Sequence, residues 1–173
     1  MSGLALILVL LFAGQAPPPA PRVTRAALSV LEKSFDTRFQ KGSVTDPFDL
    51  LDATQGVYLE GFGAVFSAEL NLMVTPNLNP FHQVFTKQEI ARIHERKIER
   101  LPLLKRNMRE MLISSAASLE NLPPTEQVVL AVTLFHYSWE DSSGLPAQIV
   151  MQAERQKLLS NATRETAIRT VEF

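Results

Sequence analysis

Apolar residues recur at helical spacing in two parts of the chain. Near the start they return every three or four positions, which predicts a first helix over about residues 24–40 with Gly42 as its stop. A longer stripe from Ile90 to Leu119 predicts a second helix of about 35 residues. Thr86 and Glu89 form a capping-box pattern that marks its start. Pro102 interrupts this stripe and predicts a kink or two abutting helices.

Between the two helices, apolar and polar residues alternate from Phe62 to Leu72. This alternation predicts a strand with one buried face. Upstream the apolar phase changes, so Gly61 and Gly63 favour a hairpin or a bulge. A dinucleotide-binding loop would need a third glycine where Phe66 stands, followed by a helix. We therefore expect four side chains to be buried together: Phe62, Phe66, Leu70 and Leu72.

A second pair of strands is expected after the long helix. The stretch 126–140 is rich in β-branched and aromatic residues, residues 141–144 have turn composition, and residues 147–153 are typical of a returning strand. A short helix over about 154–161 follows. The predicted order is α-β-β-α-β-β-α. It corresponds to an α+β fold in which an antiparallel sheet of about four strands, arranged as two β-hairpins, packs with a long kinked helix and a shorter N-terminal helix.

The first residues have the pattern of a secretory signal. Nine consecutive apolar residues, Leu4 to Phe12, precede small residues that fit a cleavage site after Ala16. This run is shorter than the roughly 20 residues that cross a bilayer as a helix. No basic residue precedes it and Pro17 disfavours cleavage, so a buried N-terminal helix is the alternative. We expect a signal peptide over 1–16, a proline-rich spacer over 17–22, one domain over 23–160 and a polar tail over 161–173, with export to the periplasm or beyond.

Composition excludes several functional classes. The 173 residues, 46% of them apolar, suffice for one hydrophobic core. A net charge of −1 does not favour nucleic acid as a partner. Without cysteine, the chain has no disulfide, thiolate metal site or cysteine nucleophile. No cofactor or catalytic residue is predicted. No metal ligand is predicted either, since His136 and Glu140 would lie about 13 Å apart along a strand, too far to share a metal ion.

Basic residues concentrate on the long helix. Eight of the 17 lie between Lys87 and Arg109, and Arg92, Arg96 and Arg100 form a row four residues apart. This row could contact an anionic membrane surface, a cell-wall polymer or an acidic partner. Two other interpretations are favoured over a ligand surface. The row is a solvated helix face, or it pairs with acidic groups of residues 32–69.

Aromatic residues at alternate positions, Phe135, Tyr137 and Trp139, would point to one face of the third strand. Such a stripe can stack on a ligand, and Trp139 beside the turn is the member expected to reach one. The opposite face of this stretch is apolar too, so an inner strand covered on both faces is favoured over a ligand-binding stripe. His82 is the one histidine placed in a loop, where functional residues often occur.

These patterns predict an exported, non-catalytic binding or structural module of the periplasm or cell envelope, with an unidentified protein or envelope component as partner. The candidate ligand contacts are Arg92, Arg96, Arg100, Trp139 and His82. Self-association as a homodimer is a further option, because hairpin edges are self-complementary. Two alternatives remain: a small hydrolase with a site formed by His82 and residues 141–144, and a peripheral binder of anionic membrane or cell-wall polymer through helix 87–109.

Overall fold

A mixed sheet of five strands organises the fold, and the computed structural model describes it through residues 23–41, 47–74 and 85–173. The predicted signal and spacer therefore lie outside the described residues, as does Gly42. The helices and strands, in chain order, are α1 (Arg25–Lys41), β1 (Asp49–Leu59), β2 (Gly63–Asn71), α2 (Lys87–Ser118), β3 (Gln127–Leu134), β4 (Gln148–Glu154), α3 (Arg155–Leu159) and β5 (Arg169–Glu172).

The α+β class is confirmed, but the predicted sheet of four antiparallel strands is wrong in two respects. The strands are ordered β1-β2-β3-β4-β5, and β2 pairs with β3 in parallel, in register from Gly63↔Gln127 to Leu70↔Leu134. The other three pairs are antiparallel. Because α2 carries the chain back to the level at which β2 began, the next strand runs in the same direction.

The fifth strand lies in the stretch that was expected to be a polar tail. β5 pairs with β4 from Ile149↔Glu172 to Gln152↔Arg169. The N–H of Phe173 also donates to the Gln148 carbonyl at 3.0 Å. A four-residue strand is too short to show a period of two in sequence. The folded domain therefore extends past the predicted boundary at residue 160.

One face of the sheet forms the core. The register aligns even-numbered residues of β2 and β3 with odd-numbered residues of β4, and these side chains are buried against the helices. The Phe35 ring of α1, for example, packs edge-on against Phe66 with centroids 5.0 Å apart. On the opposite face Ser67, Glu69 and Thr133 are exposed. The alternation in sequence therefore identified the covered face of β2 correctly.

Three of the four side chains predicted to be buried together are buried: Phe66, Leu70 and Leu72. The prediction for Phe62 is wrong, because this side chain is 46% exposed. Phe62 belongs to the β1–β2 turn and not to the strand, and its carbonyl accepts the Gln127 N–H at 2.8 Å. Its even-numbered position is therefore outside the alternating pattern that governs β2.

The β1–β2 connection is the predicted hairpin, and its glycines serve backbone geometry. Gly61 and Gly63 have φ of 79° and 144°, in the region that favours glycine. A Cβ on Gly63 would lie 2.0 Å from the Gln127 carbonyl oxygen, so only glycine allows β3 to approach here. β1 begins at Asp49, and register shifts between Leu50 and Gln55 interrupt its pairing with β2 and its alternation.

The long helix is continuous through its proline. Thr86 caps it as predicted: its hydroxyl accepts the Glu89 N–H, and the Glu89 carboxylate accepts the Thr86 N–H in return. α2 then runs for 32 residues with Pro102 inside it, as one helix and not as two abutting ones. It ends at Ser118, before Pro123-Pro124, and Leu119 and Leu122 pack into the core beyond it.

Candidate functional site

The chain leaves the sheet at Leu134, six residues before the predicted end of β3. The segment that follows turns instead of remaining extended, since the Glu140 N–H donates to the Tyr137 carbonyl at 3.0 Å. This turn brings the side chains of His136 and Glu140 together, with Nδ1 and Oε2 3.7 Å apart. The expected separation of about 13 Å along a strand is therefore wrong.

Lys97 of α2 completes a buried polar cluster with these two residues. Its Nζ donates to Glu140 Oε2, and the two side chains are 1% and 2% exposed. Sequence reasoning counted Lys97 only among the basic residues of the helix. The position carries a signal nevertheless, because Lys97 lies four residues after Ile93 and four before Leu101, on the apolar stripe.

The cluster makes protonation of His136 unfavourable. Burial is the largest cause that lowers the pKa of His136 below its ordinary value of 6.5, and the positive charge of Lys97 lowers it further. The Glu140 carboxylate and the nearby backbone of Pro146 oppose these effects without cancelling them. The imidazole is 18% exposed, so this site joins a neutral histidine to a buried ion pair at the edge of the core.

The three arginines of the predicted basic row do not form one exposed surface. Arg92 and Arg96 are exposed, whereas Arg100 is 7% exposed. The Arg100 guanidinium donates through Nε to the Leu72 carbonyl and lies 4.8 Å above the Phe48 ring centroid. Spacing by four residues drifts around a helix of 3.6 residues per turn, so the third member of the row reaches the buried side.

The aromatic residues form a cluster, although no strand aligns them. The Trp139 indole stacks on Tyr137 at 5.5 Å and on Phe85 at 4.1 Å, both within 20° of parallel. Phe135 meets Tyr137 edge-on at 4.8 Å. Trp139 therefore lies within an aromatic cluster of this protein, where both neighbouring rings are nearly parallel to the indole. The cluster joins the start of α2 to the segment after β3.

The turn at Asp141 is bonded within itself. The Asp141 carboxylate accepts the Ser143 hydroxyl at 2.6 Å and the Ser143 N–H at 2.9 Å, and these bonds lower its pKa. His94 Nδ1 lies 2.9 Å from the Asp141 carbonyl, at the edge of the core. The serine hydroxyl is thus directed at a carboxylate and not at an imidazole. His82, the proposed partner in a hydrolase site, lies outside the described residues.

A different basic surface lies further along α2, where α1 and the residues before β5 approach it. We call Arg38, Lys41, Lys105, Arg106 and Arg109 the cationic patch. Two cavities open within it, of about 400 and 500 Å³, and Glu110 lines both. Lys105 is paired with Glu172 at 2.7 Å. Among the described contacts, the other four cations of the patch form no ion pair.

The acidic groups of α1 are used elsewhere. Glu32 pairs with Arg25 at 2.6 Å, and Asp36 accepts the Thr54 N–H at 2.9 Å. These two carboxylates therefore bind groups of α1 and β1 and form no ion pair with the cationic patch. Sequence reasoning missed the patch because Arg38 and Lys41 lie more than 60 positions before the α2 residues that they approach.

Over residues 23–41, 47–74 and 85–173, no group of three or more His, Asp and Glu side chains could hold a metal ion. In the same ranges, no helix combines the length and apolarity needed to cross a membrane. Comparison of the chain with protein-family models, with curated proteins and with solved structures finds no match.

Proposed function

We propose that the chain is an exported, non-catalytic binding module of the cell envelope, and that it holds an anionic polymer chain in the cationic patch. The proposal rests on two adjoining cavities that four cations line. None of these cations is ion-paired among the described residues: Arg38, Lys41, Arg106 and Arg109. Guanidinium groups bind carboxylates and phosphates through paired hydrogen bonds. Two neighbouring cavities, one lined by Arg38 and the other by Arg106 and Arg109, therefore suit a chain that spans both.

The shape of the patch favours a chain over a membrane surface. The α2 residues that line it run from Pro102 to Glu110, which is about 12 Å along the axis at 1.5 Å per residue. Its cations lie around cavities on two sides of the helix, whereas a planar bilayer contacts one flat face. Glu110 and Glu165 also line the patch and oppose non-specific adsorption of negative charge.

Export is the second part of the proposal. The run from Leu4 to Phe12 followed by Ala16 supports it, because this pattern is typical of a cleaved secretory signal. Expression of the full chain in a bacterial host, followed by mass determination of the mature protein, tests this part. Recovery of a chain that begins near Pro17 outside the cytoplasm is expected, and an uncleaved chain retained in the cytoplasm would contradict it.

Binding is tested with two probes, poly-L-glutamate and inorganic polyphosphate, titrated into the protein at low salt and again at physiological salt. We expect saturable binding that weakens with salt, and the stronger probe identifies the preferred anion. Arg106→Gln/Arg109→Gln should weaken this binding about tenfold or more, since it removes two charge-assisted contacts. Glu110→Gln should strengthen it by removing a repulsive carboxylate.

The matched control is Arg92→Gln/Arg96→Gln, which removes the same charge from exposed positions of the same helix. This variant should retain nearly all binding. Equal losses in the two double variants would show a diffuse charge effect and contradict the assigned site, as would an absence of saturable binding to both probes. In a last experiment the protein is sedimented with vesicles that contain anionic lipid and with vesicles that do not. Strong co-sedimentation of the protein with the anionic vesicles only would favour the membrane alternative.

A further inference from the structure

β1 is an edge strand, and side chains of α1 occupy three backbone groups near its middle, at Thr54 and Gly56. It has β2 as its one neighbour in the sheet. Glu32 Oε1 accepts the Gly56 N–H at 2.6 Å, Arg25 Nη1 donates to the Gly56 carbonyl at 3.0 Å, and Asp36 Oδ1 accepts the Thr54 N–H at 2.9 Å. A further strand pairing with β1 would use these same N–H and C=O groups.

These three α1 side chains, Arg25, Glu32 and Asp36, are called the edge clamp below. They are spaced seven and four residues apart, which places them on one face of the helix. Arg25 binds both carboxylate oxygens of Glu32, at 2.6 and 2.8 Å, and Glu32 is 7% exposed. Arg25 and Glu32 therefore form a network in which the arginine fixes the carboxylate that blocks Gly56, while Asp36 binds Thr54 beside it.

The strand is shaped to receive this network. A Cβ on Gly56 would lie 2.8 Å from a carbon of the Phe66 ring and 3.1 Å from Glu32 Oε1. Both distances are shorter than ordinary van der Waals contact, so a side chain here would push the carboxylate or the ring away. Glycine at this position lets α1 reach the backbone of the edge strand.

The blocked strand would otherwise favour association. β1 is 11 residues long, and Leu51, Val57 and Leu59 on it are each more than 40% exposed. A long edge strand that bears apolar side chains pairs readily with another strand. An antiparallel copy of β1 offers the same groups in reverse order, so a second copy of this chain fits it through an isologous contact.

We infer that the edge clamp takes the place of a sixth strand and holds closed a strand-docking surface that a second copy of the chain would otherwise occupy. The clamp keeps the protein monomeric by satisfying the backbone of β1 from within. Opening it yields a dimer in which the two β1 strands pair antiparallel. This inference does not depend on the cationic patch or its ligand.

The test compares sedimentation of the wild-type chain with that of Glu32→Ala/Asp36→Ala. The wild type should remain monomeric, whereas the double variant should show twice the mass in a concentration-dependent manner while its circular dichroism remains native. Addition of Val57→Lys should restore the monomer, because a charge on an edge strand disfavours pairing. The matched control is Lys33→Ala/Gln40→Ala, two exposed α1 positions, and it should stay monomeric.

Because the chain has no cysteine, the paired strand can be located by a single introduced thiol. Oxidation should cross-link Gln55→Cys in the double variant and leave Gln40→Cys in that variant uncross-linked. A folded double variant that stays monomeric at every concentration overturns the inference, and so does an oligomer that persists with Val57→Lys. Should the double variant unfold, amide exchange of the wild type decides, since fast exchange at Thr54 and Gly56 would contradict the clamp.

Discussion

The ammonium group of Lys97 donates a hydrogen bond to the Glu140 carboxylate where both side chains are almost fully removed from water. This contact fastens α2 to the segment that follows β3, and it places a pair of opposite charges at the edge of the core. Each charge alone would be costly to desolvate, so the pair is tolerated because its two members compensate each other.

We predict that breaking this pair from one side strongly destabilises the fold. Lys97→Met leaves the carboxylate of Glu140 buried without its cation, and Glu140→Gln leaves the ammonium without its anion. Each should lower the free energy of unfolding by about 3–5 kcal/mol. Urea titration followed by circular dichroism measures the loss. The double variant Lys97→Met/Glu140→Gln should lose less than the sum of the single losses, because no unpaired charge remains.

The exposed pair Lys105 and Glu172 is the matched control, with side chains 27% and 40% exposed. Lys105→Met should change the free energy of unfolding by only about 0–1 kcal/mol, because water solvates the remaining carboxylate. Equal effects of Lys97→Met and Lys105→Met would show that Glu140 is hydrated in solution and would contradict its burial.

A pH dependence follows from His136, whose pKa in the folded protein is lowered by burial and by Lys97. As the pH falls through about 6.5, the unfolded chain takes up a proton on this histidine before the folded chain does. The unfolded state then binds more protons, so the free energy of unfolding decreases with falling pH. The stability present above pH 6.5 is lost as the pH falls toward the lowered pKa.

Thermal unfolding of the wild type and of His136→Asn between pH 7.5 and 5 measures this dependence. All other ionisable groups are common to both proteins, so the difference between the two curves isolates the contribution of His136. We expect the wild type to lose relative stability on acidification. A relative gain on acidification would mean that the attraction of Glu140 for the imidazolium outweighs burial and the charge of Lys97.

The extent to which sequence predicted this protein depends on the range of each interaction. The capping box at Thr86 and the alternation of β2 are local, and both are confirmed. The helical stripe was also local, yet Lys97 on it was counted only among the basic residues of the helix, although its side chain is buried. A polar residue at a stripe position indicates a buried partner, and naming Glu140 required the turn after Leu134, which has no strong signal in sequence.

Features that depend on distant contacts could not be predicted. Alternation assigns the faces of a strand but not its neighbour, so the parallel pairing of β2 with β3 had no local signature. The cationic patch joins Arg38 to Arg109 across two helices, and the edge clamp joins Glu32 to Gly56. In each case the residues fit the pattern of the helix or strand that contains them. They come together only because α1 packs against β1 and α2.

Gly61 and Gly63 allow the cost of a strained backbone conformation to be measured separately from the cost of a steric overlap. Gly61 and Gly63 both have positive φ, but a Cβ on Gly61 has nothing within 4 Å, whereas one on Gly63 would overlap the Gln127 backbone. Gly61→Ala should cost about 1–2 kcal/mol from backbone strain alone. Gly63→Ala should cost clearly more, since β2 and β3 must separate. Urea titration of both variants checks this order, and equal losses would mean that β3 does not begin beside Gly63.

The exposed proline within α2 gives a final prediction, in the stabilising direction. Pro102 supplies no N–H for the carbonyl four residues earlier, and a proline in a helix interior is about 3 kcal/mol less favourable than alanine. Pro102→Ala should therefore raise the free energy of unfolding. The helix gains about 3 kcal/mol, and roughly 0.4–1 kcal/mol of this gain is offset because proline also restricts the unfolded chain. Arg106→Ala, one turn further along and also exposed, should stay within about 0.5 kcal/mol of the wild type in the same urea titration. If Pro102→Ala instead destabilised the protein, the packing of Leu101 and Leu104 against the sheet would require a bend that the proline provides.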